Sequence, residues 1–423
     1  MFKKTTLKNG LRIITIPQKS TRAVTVLVLV ATGSKYEKKK INGISHLLEH
    51  LLFKGTKKRP NKIAIAEPLD RVGGEFNAFT GEEYTGYFAK VNSKYFGLAL
   101  DIISDIYLNS ELPVKEIKKE KKVVIEEINM YHDRPASYVQ TLWNKLLYGD
   151  QPAGWDIAGT KETVLGISRQ QILSYMRTQY TASNTVVCVA GDISRDAKTI
   201  RKIKKYFSGV KRKETFKKSP VIEKQAKPKC LLSYKKTDQT HFCLGVRGYN
   251  LFHPKRYAQE VLGVILGGMM SSRLFIEIRE NLGLAYYIKT DISSDPDTGF
   301  LVTQIGADNK KVEKAISVIL EEYKKISQKK ISAEELKKAK DNLKGKMSLL
   351  LETSDAQASF YSLQEILQKK ILTPKEIYAK IDKVSVDDIL KISKDIFRPE
   401  KLNLAIIGPF KDKTKFQKLL KIL

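Results

Sequence analysis

The chain has only five histidines in 423 residues and three cysteines, Cys188, Cys230 and Cys243. Three is an odd number and none falls in a C-x-x-C pair. That excludes a disulfide framework and a cysteine-based zinc site, and leaves ordinary interior thiols. Long hydrophobic runs are missing too: none reaches the roughly 20 residues that cross a bilayer. The opening "MFKKTTLKNGLRIITIP" passes from a basic start into alternating, strand-like sequence. It lacks an apolar core of signal-peptide length, so cytoplasmic residence is the expectation. Acidic residues are in the minority, giving a formal charge of +30. Such a surplus raises a nucleic-acid reading. Yet the lysines interleave with glutamates, as in "KEIKKEKKVVIEE" and "SAEELKKAKDNLKGK", the pattern of solvated helix faces. Lysine outnumbers arginine, and neither a zinc finger nor an aromatic RNA-binding motif is present, so a basic nucleic-acid-binding protein stays a distant alternative. The hydrophobic content of 42% is ordinary for a soluble globular chain. The length suits two domains of about 200 residues each.

What is present first is an internal repeat. "SNTVVCVAGDIS" and "EKLNLAIIGPFK" both read as a strand ending in a glycine turn. Aligning Gly191 with Gly408 lays "VTVLVLVATGS" near "THFCLGVRGYN", and places His46 over Gly263. Each half mixes alternating strands with long amphipathic helices, predicted over 113–131 and 333–351. The fold class is therefore α+β, with two homologous domains, each a mostly antiparallel sheet packed with helices. The predicted divisions are 1–208, a basic linker over 209–229 ("GVKRKETFKKSPVIEKQAKPK") and 230–423.

The scarcity of histidine gives weight to "GISHLLEHLLFKGT", where His46 and His50 sit in a run of leucines with Glu49 between them. On a helix these three side chains fall within an arc of roughly 100°. Imidazoles at i and i+4 can grip one metal ion, and the intervening carboxylate can reach a water on it. The order H-x-x-E-H is the inverzincin signature, the reverse of H-E-x-x-H. The competing reading is two core histidines one turn apart. A catalytic zinc asks for a third protein ligand. Within "PVKEIKKEKKVVIEEINMY", Glu120 and Glu127 lie about 20° apart on the wheel, inside an apolar stripe of Val123, Val124, Ile128, Met130 and Tyr131. Glu126 falls out on the flank. A carboxylate in a buried stripe needs a compensating positive charge, supplied either by a metal or by a nearby lysine.

His46-x-x-Glu49-His50 followed by Glu127 resembles the zinc site of the pitrilysin/insulinase-type metallopeptidases, which include the mitochondrial processing peptidases. "GGEFNAFTGEEYTGYF" is similar to that family's substrate-binding strand, and "SSRLFIEIRENLGLAYY" to its second-half arginine/tyrosine motif. The resemblance covers essentially the whole chain. It implies that His46, His50 and Glu127 ligate one Zn2+ per chain, that Glu49 is the general base, and that Glu120 orients the ligands from behind. It implies that Asn77 and Ala78 hold the substrate backbone. Arg279 and Tyr286, which alone would read as a surface arginine and a packed tyrosine, would bind substrate and stabilise the oxyanion. The family closes a clamshell from two such chains' worth of sequence. The resemblance therefore implies that this chain forms half of a clamshell, as a homodimer whose zinc sites borrow Arg279 and Tyr286 across the interface. The activity implied is zinc-dependent endopeptidase cleavage of unfolded peptides inside a closed chamber. The alternative within the family is a non-catalytic or hetero-oligomeric processing or assembly subunit.

Overall fold

The computed structural model describes residues 2–193 and 196–420. The chain divides into two compact units, each built on one sheet.

The first unit holds β1 (Lys3–Thr6), β2 (Arg12–Pro17), β3 (Ala23–Val30), β4 (Glu75–Thr80), β5 (Thr85–Asn92) and β6 (Thr185–Gly191). Their order is β1-β2-β6-β3-β5-β4, antiparallel except for the parallel β2/β6 pair. The central strand β3, "AVTVLVLV", is an unbroken apolar run because both of its faces are covered. Val24, Val26, Val28 and Val30 pack into a core shared with the helix Ile44–Leu52. Leu27 and Leu29 point the other way, onto Ala358, Tyr361 and Ile366 of the helix Ser354–Gln368.

The second unit holds β7 (Lys229–Tyr234), β8 (Gln239–Arg247), β9 (Ala285–Ser294), β10 (Gly299–Asp308) and β11 (Leu402–Gly408). The order β7-β11-β8-β10-β9, with β7/β11 as the parallel pair, reproduces β2-β6-β3-β5-β4 strand for strand. The helix Pro135–Tyr148 covers this sheet, with Trp143 packed among Cys243, Val302, Ala405 and Ile407.

The mixed fold of two sheets with packed helices matches the sequence-based class. The compact units, however, are discontinuous in sequence. The first comprises Met1–Asn129, Trp155–Ser219 and Leu349–Ile371, and the second Met130–Gly154, Pro220–Ser348 and Leu372–Leu423. The contiguous division at 208 and 230 therefore differs from the packing at two helices. A sheet apolar on both faces needs a cover on each, and here one cover comes from the sequence of the other half. Among the described residues, no helix is long and apolar enough to cross a membrane.

The two expected helices form as Val114–Asp133 and Ala333–Leu350. The stripe on the first is narrower than the wheel suggested. Ile117, Glu120, Val124 and Ile128 are buried, whereas Val123, Met130 and Tyr131 are 44%, 40% and 45% exposed. The seam of contact is rotated toward Val124 and Ile128. Glu127 consequently stands at its border rather than in its middle, and Glu126 is fully outside.

Candidate metal centre

The helix Ile44–Leu52 is anchored by Ile44, Leu47, Leu48, Leu51 and Leu52, all fully buried. Each such side chain contributes about 1.5–3 kcal/mol, so the apolar face alone fixes the helix and frees the opposite face for chemistry. Its entry is equally constrained. Gly43 caps the helix at φ +94, and a Cβ there would meet the Ala158 carbonyl oxygen at 2.5 Å. A side chain outside the helix holds its entry. Glu37 Oε1 accepts from Ser45 N at 2.8 Å, and Oε2 accepts from Gly43 N at 2.7 Å and Asn42 Nδ2 at 2.9 Å.

Burial pushes the Glu37 carboxyl up to about 7, against the hydrogen bonds that pull it down. A folded-state pKa raised above the unfolded value of 4.5 adds stability that is full below about pH 4.5 and lost as pH rises through about 7. Glu37→Gln cannot ionise, and its amide must turn an NH2 toward N–H donors. We expect it to lower stability by about 1–3 kcal/mol. Denaturant melts should show a gap to the unsubstituted chain that is wider at pH 5 than at pH 8. An equal gap at both would show that Glu37 does not titrate on folding.

On the free face the structure brings together three of the expected residues. His46 Nε2 lies 3.6 Å and His50 Nε2 3.4 Å from Glu127 Oε2, and the rings meet edge to face at 4.7 Å between centroids. One donor atom from each of the three falls within 4.8 Å of the others. Four ligands at 2.0–2.2 Å around a tetrahedral zinc stand about 3.4 Å apart, so two imidazole nitrogens and a carboxylate oxygen at these separations fit that ion. His50 Nδ1 faces Glu120 Oε2 at 3.3 Å, the carboxylate partner that fixes a ligating imidazole. Burial, and then the neighbouring His50, lower the His46 pKa to about 4, which leaves a neutral ring. Burial also lowers His50, but the Glu127 bond and the surrounding carboxylates outweigh it and hold this ring above its usual value. The hydrogen bond to His50 keeps Glu127 below the usual range, and burial raises Glu49.

Glu49 is not part of the ligand cluster but stands beside it. Its Oε2 accepts from Thr80 Oγ1 at 2.5 Å, and it opens onto a pocket of 260 Å³ shared with His50, Phe53, Phe76, Asn77 and Ala78. Asn77 and Ala78 lie on β4, which among the described residues is the edge strand of its sheet, paired with β5. The Ala78 N–H donates to Asn77 Oδ1 at 2.8 Å.

Arg279 and Tyr286 lie in the second unit and meet each other. The Arg279 guanidinium sits 5.7 Å from the Tyr286 ring centroid and 4.8 Å from that of Phe275. Arg279 belongs to a π-helical turn, Phe275–Asn281. The β9/β10 register steps from Tyr287↔Gly306 to Ala285↔Ala307, which leaves Tyr286 as the extra residue of a bulge. Both irregularities recur at functional sites because they re-aim a side chain. Tyr286 is 77% exposed, unlike the packed tyrosine that the residue taken alone would suggest. Gly263, the counterpart of His46, has no room for a ligand: a Cβ would meet Ile292 Cγ1 at 2.8 Å.

Two neighbours of the site escaped the sequence reading. Thr80 shares a strand face with Ala78 at i+2, a period-2 signal that was available. Lys54 follows His50 by one helical turn and holds Glu120 Oε1 at 2.8 Å.

Two imidazoles and a carboxylate, each partly buried, are gathered on this fold where they could hold a metal ion as in a zinc peptidase, and the sequence comparisons give the family. The family model for insulinase (peptidase family M16) matches residues 12–161, and that for the peptidase M16 inactive domain matches 166–343. The chain belongs to the insulinase, or M16, family. It is 37% identical over 410 residues to "uncharacterized zinc protease YmxG" of Bacillus subtilis, covering 97% of this chain and 98% of that one. A Streptomyces coelicolor relative, likewise described as an uncharacterized zinc protease, is 32% identical over 423 residues, covering 97% and 90%. In fold, the chain resembles a protease from Helicobacter pylori (TM-score 0.89, 24% identity, 97% of this chain and 100% of that chain). It also resembles a chain of complex III from Candida albicans (TM-score 0.85, 20% identity, 99% of each).

Proposed function

We propose that the protein is a zinc endopeptidase that cleaves unfolded peptides. The observation that carries this is the convergence of His46, His50 and Glu127 beside Glu49, which lines the adjoining pocket. His46, His50 and Glu127 would hold a zinc ion, which when bound would supply Lewis acidity to acidify a water and polarise the scissile carbonyl. Glu49, oriented by Thr80, takes the proton of the attacking water and delivers it to the leaving amine. The substrate lies extended along β4, adding a strand through main-chain hydrogen bonds. The Asn77 side chain, which holds the Ala78 N–H, turns to the substrate backbone when a peptide takes that position. Recognition through the main chain implies loose sequence preference. Arg279 and Tyr286 complete the site from a second copy in a homodimeric clamshell, binding the substrate and stabilising the oxyanion.

The assembly-subunit reading draws support from the fold likeness to a complex III chain. It is disfavoured because this chain keeps both histidines and the carboxylate at ligand distances.

Metal analysis with a fluorogenic peptide assay tests the proposal. The purified chain should carry about one zinc and lose turnover on chelation. Glu127→Gln should strip most of the metal, whereas Glu126→Gln, on the outer flank, should keep it. Metal loss with Glu126→Gln but not Glu127→Gln would exchange the two assignments. Full turnover after zinc removal would end the zinc-peptidase reading.

A further inference from the structure

We propose that Lys54 is a positioning residue of the metal centre, acting through Glu120 to orient His50. The inference rests on the reading of His46, His50 and Glu127 as zinc ligands.

Lysine side chains are seldom buried without a partner, and this one is 12% exposed. It lies just past the helix that carries the histidines, and its N–H donates to Leu51 O at 3.1 Å, so the turn continues through it. His46, His50 and Lys54 thus descend one face in successive turns. The Lys54 ammonium holds Glu120 Oε1 at 2.8 Å, and the other oxygen of the same carboxylate faces His50 Nδ1 at 3.3 Å. Glu120 itself is 2% exposed and reaches the site from the facing helix. The result is a chain of contacts, Lys54 to Glu120 to His50 Nδ1, with His50 Nε2 turned toward Glu127 Oε2.

Two physical requirements meet in this arrangement. An imidazole that ligates through Nε2 must donate its Nδ1–H, and a carboxylate acceptor fixes both tautomer and ring plane. A carboxylate buried to serve as that acceptor needs a cation of its own. Charge counting leads to the same residue. Glu49, Glu120 and Glu127 bring three negative charges into one partly buried region, and a divalent ion leaves one unbalanced. Lys54 supplies the remaining positive charge at Glu120, the carboxylate that faces His50 Nδ1. Removing it leaves Glu120 as a buried anion free to turn away from His50.

The test is zinc affinity, measured by competition between the whole protein and a chromogenic chelator, with the zinc ion as probe. Lys54→Met keeps the stem and removes the charge, and should weaken affinity roughly 10–100-fold. Lys54→Arg keeps the charge and should recover most of the loss. The double variant Lys54→Met/Glu120→Gln should be no weaker than Glu120→Gln alone, because both act along one chain of contacts. It also removes the unpaired buried anion, so it remains measurable if Lys54→Met folds poorly. Affinity of Lys54→Met within about threefold of the parent, or losses that add in the double variant, would overturn the role of Lys54. A parent chain that binds no zinc would instead overturn the metal-site reading beneath it.

Discussion

Glu49→Gln should bind zinc as tightly as the parent, melt at a similar temperature, and cleave peptides roughly 10²–10⁴-fold more slowly. Zinc stays because the proposed ligands are His46, His50 and Glu127, which the substitution does not touch. The fold stays because the amide is isosteric with the carboxylate and its oxygen can still accept from Thr80 Oγ1. What disappears is the proton acceptor for the attacking water, and with it the acid that later protonates the leaving amine. The expected loss falls on kcat rather than on KM, since the proposed substrate binding runs through β4 and the pocket beside it. Chelator competition, a thermal melt and steady-state kinetics on one preparation read all three quantities. Turnover within about tenfold of the parent would assign the base to another group.

Much of this site was legible because the histidines are so few. H-x-x-E-H on a leucine-rich helix points to a metal site, and the structure gathers one donor atom each from His46, His50 and Glu127 within 4.8 Å of one another. The repeat was legible through Gly191 and Gly408, which end equivalent strands in the two sheets. Other features were hidden for identifiable reasons. Helical periodicity tells which face of Pro135–Tyr148 and Ser354–Gln368 is apolar, but not which sheet will accept it, so the exchanged covers had no sequence signal. The wheel placed Glu127 correctly relative to Glu126 yet set both flanks of the stripe inside. Only packing reveals that Val123 and Met130 face outward. The bulge at Tyr286 arises from pairing with β10, a non-local event that a local reading of "GLAYY" does not contain. Lys54 was hidden among 76 basic residues, and only its distance to Glu120 separates it from the solvated majority.

The double variant Arg279→Ala/Tyr286→Phe should be nearly inactive while keeping its zinc, because it removes the cation and the phenol proposed to stabilise the oxyanion and leaves His46, His50 and Glu127 intact. Glu49→Gln fails for the opposite reason. If the site is completed by a second copy, co-expressing the two inactive chains under different tags should restore activity. Random pairing makes half of the dimers mixed. In each mixed dimer, one zinc site with an intact Glu49 meets an intact Arg279 and Tyr286 from its neighbour, while the other site lacks both. Activity should therefore return to about a quarter of the parent's. A site completed within one chain predicts no recovery at all, since every centre would lack either its base or its oxyanion partners. Recovering both tags in one purified dimer first establishes that the chains have mixed. With mixing demonstrated, an inactive preparation would rule out sharing across the interface. It would also require Arg279 and Tyr286 to act on the zinc site of their own chain.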